Sequence, residues 1–218
     1  GVVISQYFGG RRKEDMSKAV HSSIALTALL SVVFTVAGML FTKPLLRAIG
    51  VPEEVLPHSS LYLTIYFAGM TFSLFYNMGS GILRAVGDSR HPLIYLAVAS
   101  LVNIALDFLF VCGFHMGIAG VAIATIIAQA VSSAMVMYKL MHTQEDYKLE
   151  LRKIHFHKKM VKKIIAFGFP AALQQSITSF SNVIVQSYIN RFGATAMAGY
   201  SAAIRIDGFL QLPLQSFN

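Results

Sequence analysis

The sequence predicts an all-α fold, a polytopic bundle of transmembrane helices. Three observations carry that expectation. Of the 218 residues 55% are hydrophobic and only 13% are charged, about half the charged share of an ordinary soluble domain. The deficit is uneven: apolar stretches of roughly twenty residues, long enough to span a bilayer as helices, alternate with short polar clusters that hold nearly all the charge. No segment shows the alternation over about ten residues that a membrane β-barrel needs. Inside lipid every backbone N–H and C=O must be bonded within its own element, so a helix is the natural spanning form.

Residues 2–8 read as the tail of a helix, and 9–15 as a charged loop. The first full span covers about 21–41. The stretch 42–57 contains Pro44, Gly50, Pro52 and Pro57, breakers that fit a longer loop with a short interfacial helix. The second span runs over about 59–83 and a turn follows at 84–92. The third (93–114) and fourth (118–140) are joined by a very short glycine-containing turn. The most polar stretch, 141–163, leads into a fifth span at 164–188. A turn from Asn190 to Gly193 opens an incomplete sixth. Gly1 is not an initiator and the chain stops within a helical pattern at Asn218, so the expectation is an internal piece of a longer protein.

Lysine and arginine set the orientation. Fourteen fall on the side that holds 9–18, 84–90 and 139–163, against Lys43, Arg47 and Arg191 on the other. This asymmetry places the charged loops in the cytoplasm. It also accounts for the net charge of +8 without nucleic acid as a partner. The single cysteine, Cys112, allows no intrachain disulfide and reads as a small apolar residue near a helix end. The 141–163 linker mixes charge with Leu149, Leu151, Ile154 and Phe156 and reads as an amphipathic surface segment or a separator of two bundles. His155 and His157 within it read as solvated rather than as metal ligands.

An ionisable side chain deep in a bilayer costs about 2.5–3.5 kcal/mol on insertion scales and is a functional candidate. Asp107 is the only acidic residue well inside a complete span. Asn103, four residues earlier, shares its helix face. If the following hairpin turns near Met116, equal helical rise puts Asp107 level with Thr125 and Asn103 level with Gln129. Carboxylate, amide and hydroxyl oxygens in one patch suit Na⁺. Alternatively the carboxylate carries a proton. The competing reading is that these groups join helices by hydrogen bonds. Gln175, Asn182 and Gln186 lie close to one face of the fifth span, where they could line a substrate path or bridge helices. Tyr62, Tyr66 and Phe67 read as packing or as a cavity wall, and Asn77, Gly79 and Gly81 as a place for close packing. No nucleophile–base pair, phosphate-binding loop or zinc pattern is present in the sequence. No enzyme activity is expected.

Four segments resemble multidrug and toxic compound extrusion (MATE) transporters. They are Val3 to Gly10 (VISQYFGG), Leu83 to Pro92 (LRAVGDSRHP), Asn103 to Asp107 (NIALD) and Gly117 to Thr125 (GIAGVAIAT). Phe167 to Pro170 (FGFP) and the stretch from Gly193 to Ala203 are similar to that family's seventh helix and the start of its eighth. The resemblance implies that 1–140 supply N-lobe helices, 141–163 a cytoplasmic inter-lobe linker and 164–218 the start of a C-lobe. It implies export of small organic cations or drugs from a monomer in the bacterial inner membrane. Inward Na⁺ or H⁺ would drive it, with no cofactor and with membrane lipid as surroundings. In members with an N-lobe cation site, an Asn and an Asp on the fifth helix and a Thr on the sixth contribute. Those positions match Asn103, Asp107 and Thr125, whereas Gln129 comes from the hairpin count alone. Another family carboxylate sits on a first helix that is not within these residues. One rival reading is a lipid-linked sugar flippase of the same superfamily, which the scarcity of cationic residues in the spans disfavours. The other is a membrane-embedded lipid-modifying enzyme, which the absence of a His or acidic cluster disfavours.

Overall fold

A computed structural model describes residues 1–48 and 56–190, with the pairs 199–200, 203–204 and 207–208. Its described residues form α1 (Val2–Gly9), α2 (Lys13–Ala48), α3 (Leu56–Ala85), α4 (Arg90–Asp107), α5 (Gly117–His142) and α6 (Lys158–Asn190). A π-helical turn, Phe108–Gly113, extends α4, and a 3-10 turn, Leu151–Lys153, lies in the linker. The chain divides into two compact units, Gly1–Ile165 and Ala166–Asn218.

Within the first unit α3 packs between α2 and α5, and α4 packs on α5. Glycines allow the close approaches. A Cβ added at Gly38 would collide with the Phe67 ring, one at Gly69 with Ile126, and one at Gly79 with Val136. The last two pairs have the same offset in sequence, as two parallel helices in register require. Three helices among the described residues are long and apolar enough to cross a membrane: Lys13–Arg47, Arg90–Gly113 and Gly117–His142. At 30 residues α3 is long enough, about 45 Å at 1.5 Å per residue, but richer in Ser, Thr and Tyr. Its position between α2 and α5 leaves most of those groups part-buried.

Several helix ends depart from the sequence expectation. α2 runs through Pro44 to Ala48 where a loop was expected from 42. The cost of one missing backbone bond is absorbed in a helix that packing already holds on α3. Residues 49–55 of that loop lie outside the described residues, as does most of the sixth span. α2 also starts earlier, at Lys13, with Glu14 and Asp15 in its first turn, where negative charge opposes the helix dipole favourably. α6 starts six residues before the apolar run, at Lys158.

The linker is not a free, solvated segment. Leu149 is 1% exposed and sits in the core with Ile4, Val20, Leu140 and Met160. Burying such a side chain contributes roughly 1.5–3 kcal/mol. Its N–H donates to Leu140 O at 2.8 Å. His21 on α2, 2% exposed, accepts the Glu150 N–H on Nε2 at 3.1 Å, and its Nδ1 donates to Ser17 O at 2.7 Å. Ser22 Oγ accepts the His157 N–H at 3.2 Å. Lys163 Nζ donates to Tyr7 Oη at 3.3 Å. Sequence patterning could not show this docking, because its side-chain hydrogen-bond partners are more than a hundred residues apart.

Candidate functional site

The α4–α5 hairpin holds the polar residues singled out in the spans. α4 starts under a side-chain cap: Asp88 Oδ1 accepts the His91 N–H at 3.2 Å, and Oδ2 accepts from His91 Nδ1 at 2.6 Å. Asn103, Leu106, Asp107 and Phe110 form the less exposed stripe of the helix, while Leu101, Ile104 and Phe108 face outward. The spacing of three and four puts the stripe on one face. The carboxyl group is therefore on the bundle side, where intramembrane ionisable groups are tolerated.

At the tip, His115 and Gly117 both take positive φ, 52° and 55°, which closes the reversal in a few residues. Gly120 lies against Phe110: a Cβ there would stand 3.0 Å from Phe110 Cβ. This contact centres the hairpin on His115, one position before the Met116 of the sequence count. By that register Asp107 faces the level of Ile123. Thr125 stands two residues further from the tip, about 3 Å of helical rise. The π turn departs from the uniform rise on which the count relied. The two rungs are thus approximate: no hydrogen bond joins Asp107 to Thr125 or Asn103 to Gln129. Thr125 Oγ1 donates to Val121 O at 2.9 Å, which leaves its oxygen lone pairs free to accept.

Asp107 Oδ1 and Asn103 Nδ2 are both buried and both lack a hydrogen-bond partner. A buried, unbonded polar atom costs about 1–3 kcal/mol, and here an acceptor and a donor are left open one helical turn apart. Turning the Asn103 amide over would present its oxygen instead. Two oxygens could then face a small cation, or a protonated Asp107 could donate to the amide oxygen.

One pair in this layer was missed by the sequence reading. Thr35 Oγ1 and Thr71 Oγ1 are 3.4 Å apart. The α3–α5 register places Thr71 level with Ala128, beside Gln129, so a further hydroxyl pair lies near the depth of the Asn103 rung. Two hydroxyls within apolar runs were the available signal, but counting across the 42–57 loop cannot align them.

The substrate-path candidates fall in the second unit, where Gln175 and Asn182 are exposed on α6. The side chain of Gln186 lies outside the described ones. Tyr62 and Tyr66 stack at 6.3 Å and Phe67 meets Tyr66 edge-on. Phe67 also covers Gly38, a packing role. Gly79 makes the expected close approach, whereas Gly81 faces open space. The His155 and His157 rings meet edge-to-face at 5.7 Å. Among the described residues no group of His, Cys, Asp or Glu is arranged to hold a metal ion.

A family model, MatE, matches residues 1–109. The chain is 31% identical over 222 aligned residues to the probable multidrug resistance protein YoeA of Bacillus subtilis strain 168, covering 99% of this chain and 48% of that protein. It is 24% identical to the multidrug export protein MepA of Staphylococcus aureus strain RF122, over 97% of this chain and 47% of that one. A crystal structure of MATE in the bent conformation superposes with a TM-score of 0.87 at 29% identity, covering 98% of this chain and 48% of the other. The chain spans about half the length of the curated relatives it matches.

Proposed function

The chain belongs to the MatE family of membrane transporters, and on that premise we propose that its protein exports small organic cations or drugs in exchange for inward Na⁺ or H⁺. Asp107 binds the coupling ion, and Asn103 and Thr125 complete its surroundings. Gln129 and the Thr35–Thr71 pair lie close enough in depth to contribute. The observation that carries the reading is the buried, unbonded Asp107 Oδ1 beside the unbonded Asn103 amide on a helix of membrane-crossing length.

An ion shifts a two-state transporter only through different affinities for the two states. The α4–α5 hairpin is suited to such a difference, because Asp107 Oδ1 and Asn103 Nδ2 are unsatisfied in the present arrangement. Residues 1–140 are read as N-lobe, 141–163 as the cytoplasmic connection and 164–218 as the start of the C-lobe. Exposed Gln175 and Asn182, with Gln186, are candidates for the substrate path. The positive-inside asymmetry of the loops supports their cytoplasmic placement in the cell membrane.

The deciding measurement is efflux of a fluorescent organic cation from vesicles holding the full-length protein. Wild type and Asp107→Asn are compared under imposed Na⁺ and pH gradients. The variant is expected to lose gradient-driven efflux while still binding substrate. Unchanged coupled efflux would remove Asp107 from the mechanism, and the gradient that drives the wild type identifies the ion.

A further inference from the structure

We propose that the start of α6 and the linker leading into it bind an anionic phospholipid. Lys158 and Lys162 hold the headgroup phosphate, and the groove of Phe156, Val161 and Ile165 takes the adjoining part of an acyl chain. This site is separate from Asp107 and does not depend on the coupling mechanism.

Position on the helix comes first. Lys158, Val161, Lys162 and Ile165 follow the i, i+3, i+4, i+7 spacing that forms one helix face. The inward face is occupied otherwise: Met160 is in the core, and Lys163 is held over Tyr7, its ammonium 4.5 Å from the ring centroid. The outward face joins Phe156 to line a shallow groove of about 380 Å³. Phe156 and Ile165 are 47% and 49% exposed, so among the described residues nothing covers the apolar floor of the groove.

Charge then selects the occupant. Among the described residues no carboxylate pairs with Lys158, Lys159 or Lys162. The nearby Glu150 is taken up by Lys153 at 2.9 Å. Four lysines within the first two turns of a helix are placed against its dipole, which favours anions at this end. A phosphodiester at the groove rim relieves that, and its acyl chain covers the apolar floor. Residues 164–169 continue directly as an apolar run, so the groove opens where a lipid headgroup meets hydrocarbon. Clustered Lys and Arg beside a membrane helix recognise anionic lipid on this basis.

Docking of the linker makes this a built surface. Bonds from Glu150 to His21 and from His157 to Ser22 fix the peptide on both sides of Phe156. The patch is thereby held in place on the first unit.

The test is retention of phosphatidylglycerol over phosphatidylcholine by the full-length protein, read by native mass spectrometry from mixed-lipid nanodiscs. Each basic group near an anionic surface contributes about fivefold, so the Lys158→Gln/Lys162→Gln double variant is expected to lose roughly 25-fold in preference. Phe156→Ser is expected to weaken phosphatidylglycerol retention as well, and Lys43→Gln, at the other end of α2, to leave it unchanged. The lysines are exposed and make no described bond, so circular dichroism should report an unaltered fold. Wild-type preference in the double variant overturns the proposal. Displacement of the lipid by inorganic phosphate at equal concentration also overturns it, because that marks a simple anion site with no role for the groove.

Discussion

His21 grips the peptide of Glu150 across 129 positions of sequence: its Nε2 accepts the Glu150 N–H while its Nδ1 donates to Ser17 O. The ring must therefore be the neutral Nδ1–H tautomer, because both bonds are satisfied only that way. Leu149, next in the chain, enters the core. His21→Ala is expected to remove the part-buried bond to the Glu150 N–H, at about 1 kcal/mol. Hydrogen exchange at Leu149 and Glu150 should accelerate while the α4–α5 hairpin stays protected. Unchanged protection would show that Leu149 alone anchors the linker.

The glycine contacts of α3 make a second prediction. Gly69→Leu or Gly79→Val drives side-chain atoms into Ile126 or Val136, and overpacking of this kind costs about 1–3 kcal/mol. Gly81→Ala meets no atom within 4 Å and should be neutral or slightly stabilising. Thermal unfolding in detergent of the three variants separates a packing role from a general aversion to substitution.

Asp88 gives a pH dependence with a definite sign. Burial alone would raise its carboxyl, but the bonds from the His91 ring and backbone, with the charge of Lys139, hold it below its ordinary 3.8. A depressed folded value means stability that is present above the unfolded value and lost as pH falls through the folded one. Asp88→Ala should cost about 1 kcal/mol near neutral pH, the usual cost of a lost helix cap. That deficit should shrink below about pH 4, where carboxyl groups protonate in the unfolded chain. Unfolding midpoints of the pair across pH 3–7, compared at fixed salt, decide it.

Thr125 separates ion binding from helix packing. Thr125→Val removes the hydroxyl that bonds Val121 O while preserving shape. If the hydroxyl serves only that bond within α5, its loss is worth about 1 kcal/mol and the coupling affinity should not change. As an ion ligand its loss should weaken the coupling ion by about tenfold, on the order of 1.4 kcal/mol. Ion-dependent efflux at graded Na⁺ and pH distinguishes the two.

Helix identity was readable because lipid-facing residues must be apolar whatever they touch, so the spans at 93–114 and 118–140 match α4 and α5 closely. Helix ends were not: α2 continues through Pro44, and α6 starts at Lys158, six residues before the apolar run. The Asn103–Asp107 face followed from helical spacing alone. The depth of Thr125 did not, because the count assumed uniform rise where Phe108–Gly113 is π-helical. The linker dock depends on His21 and Ser22, which carry no signal until the chain brings them to Glu150 and His157.

That π-helical turn has a consequence for motion. It holds about one residue more than an α turn would. Returning that residue to α geometry would turn the helix on one side against the other by roughly 100°, the angle per residue of an α-helix. Phe110 against Gly120 pins the tip, so the part that swings is the one bearing Asp107. A π-to-α change at this turn would re-aim the Asp107 carboxylate by turning α4 about its own axis.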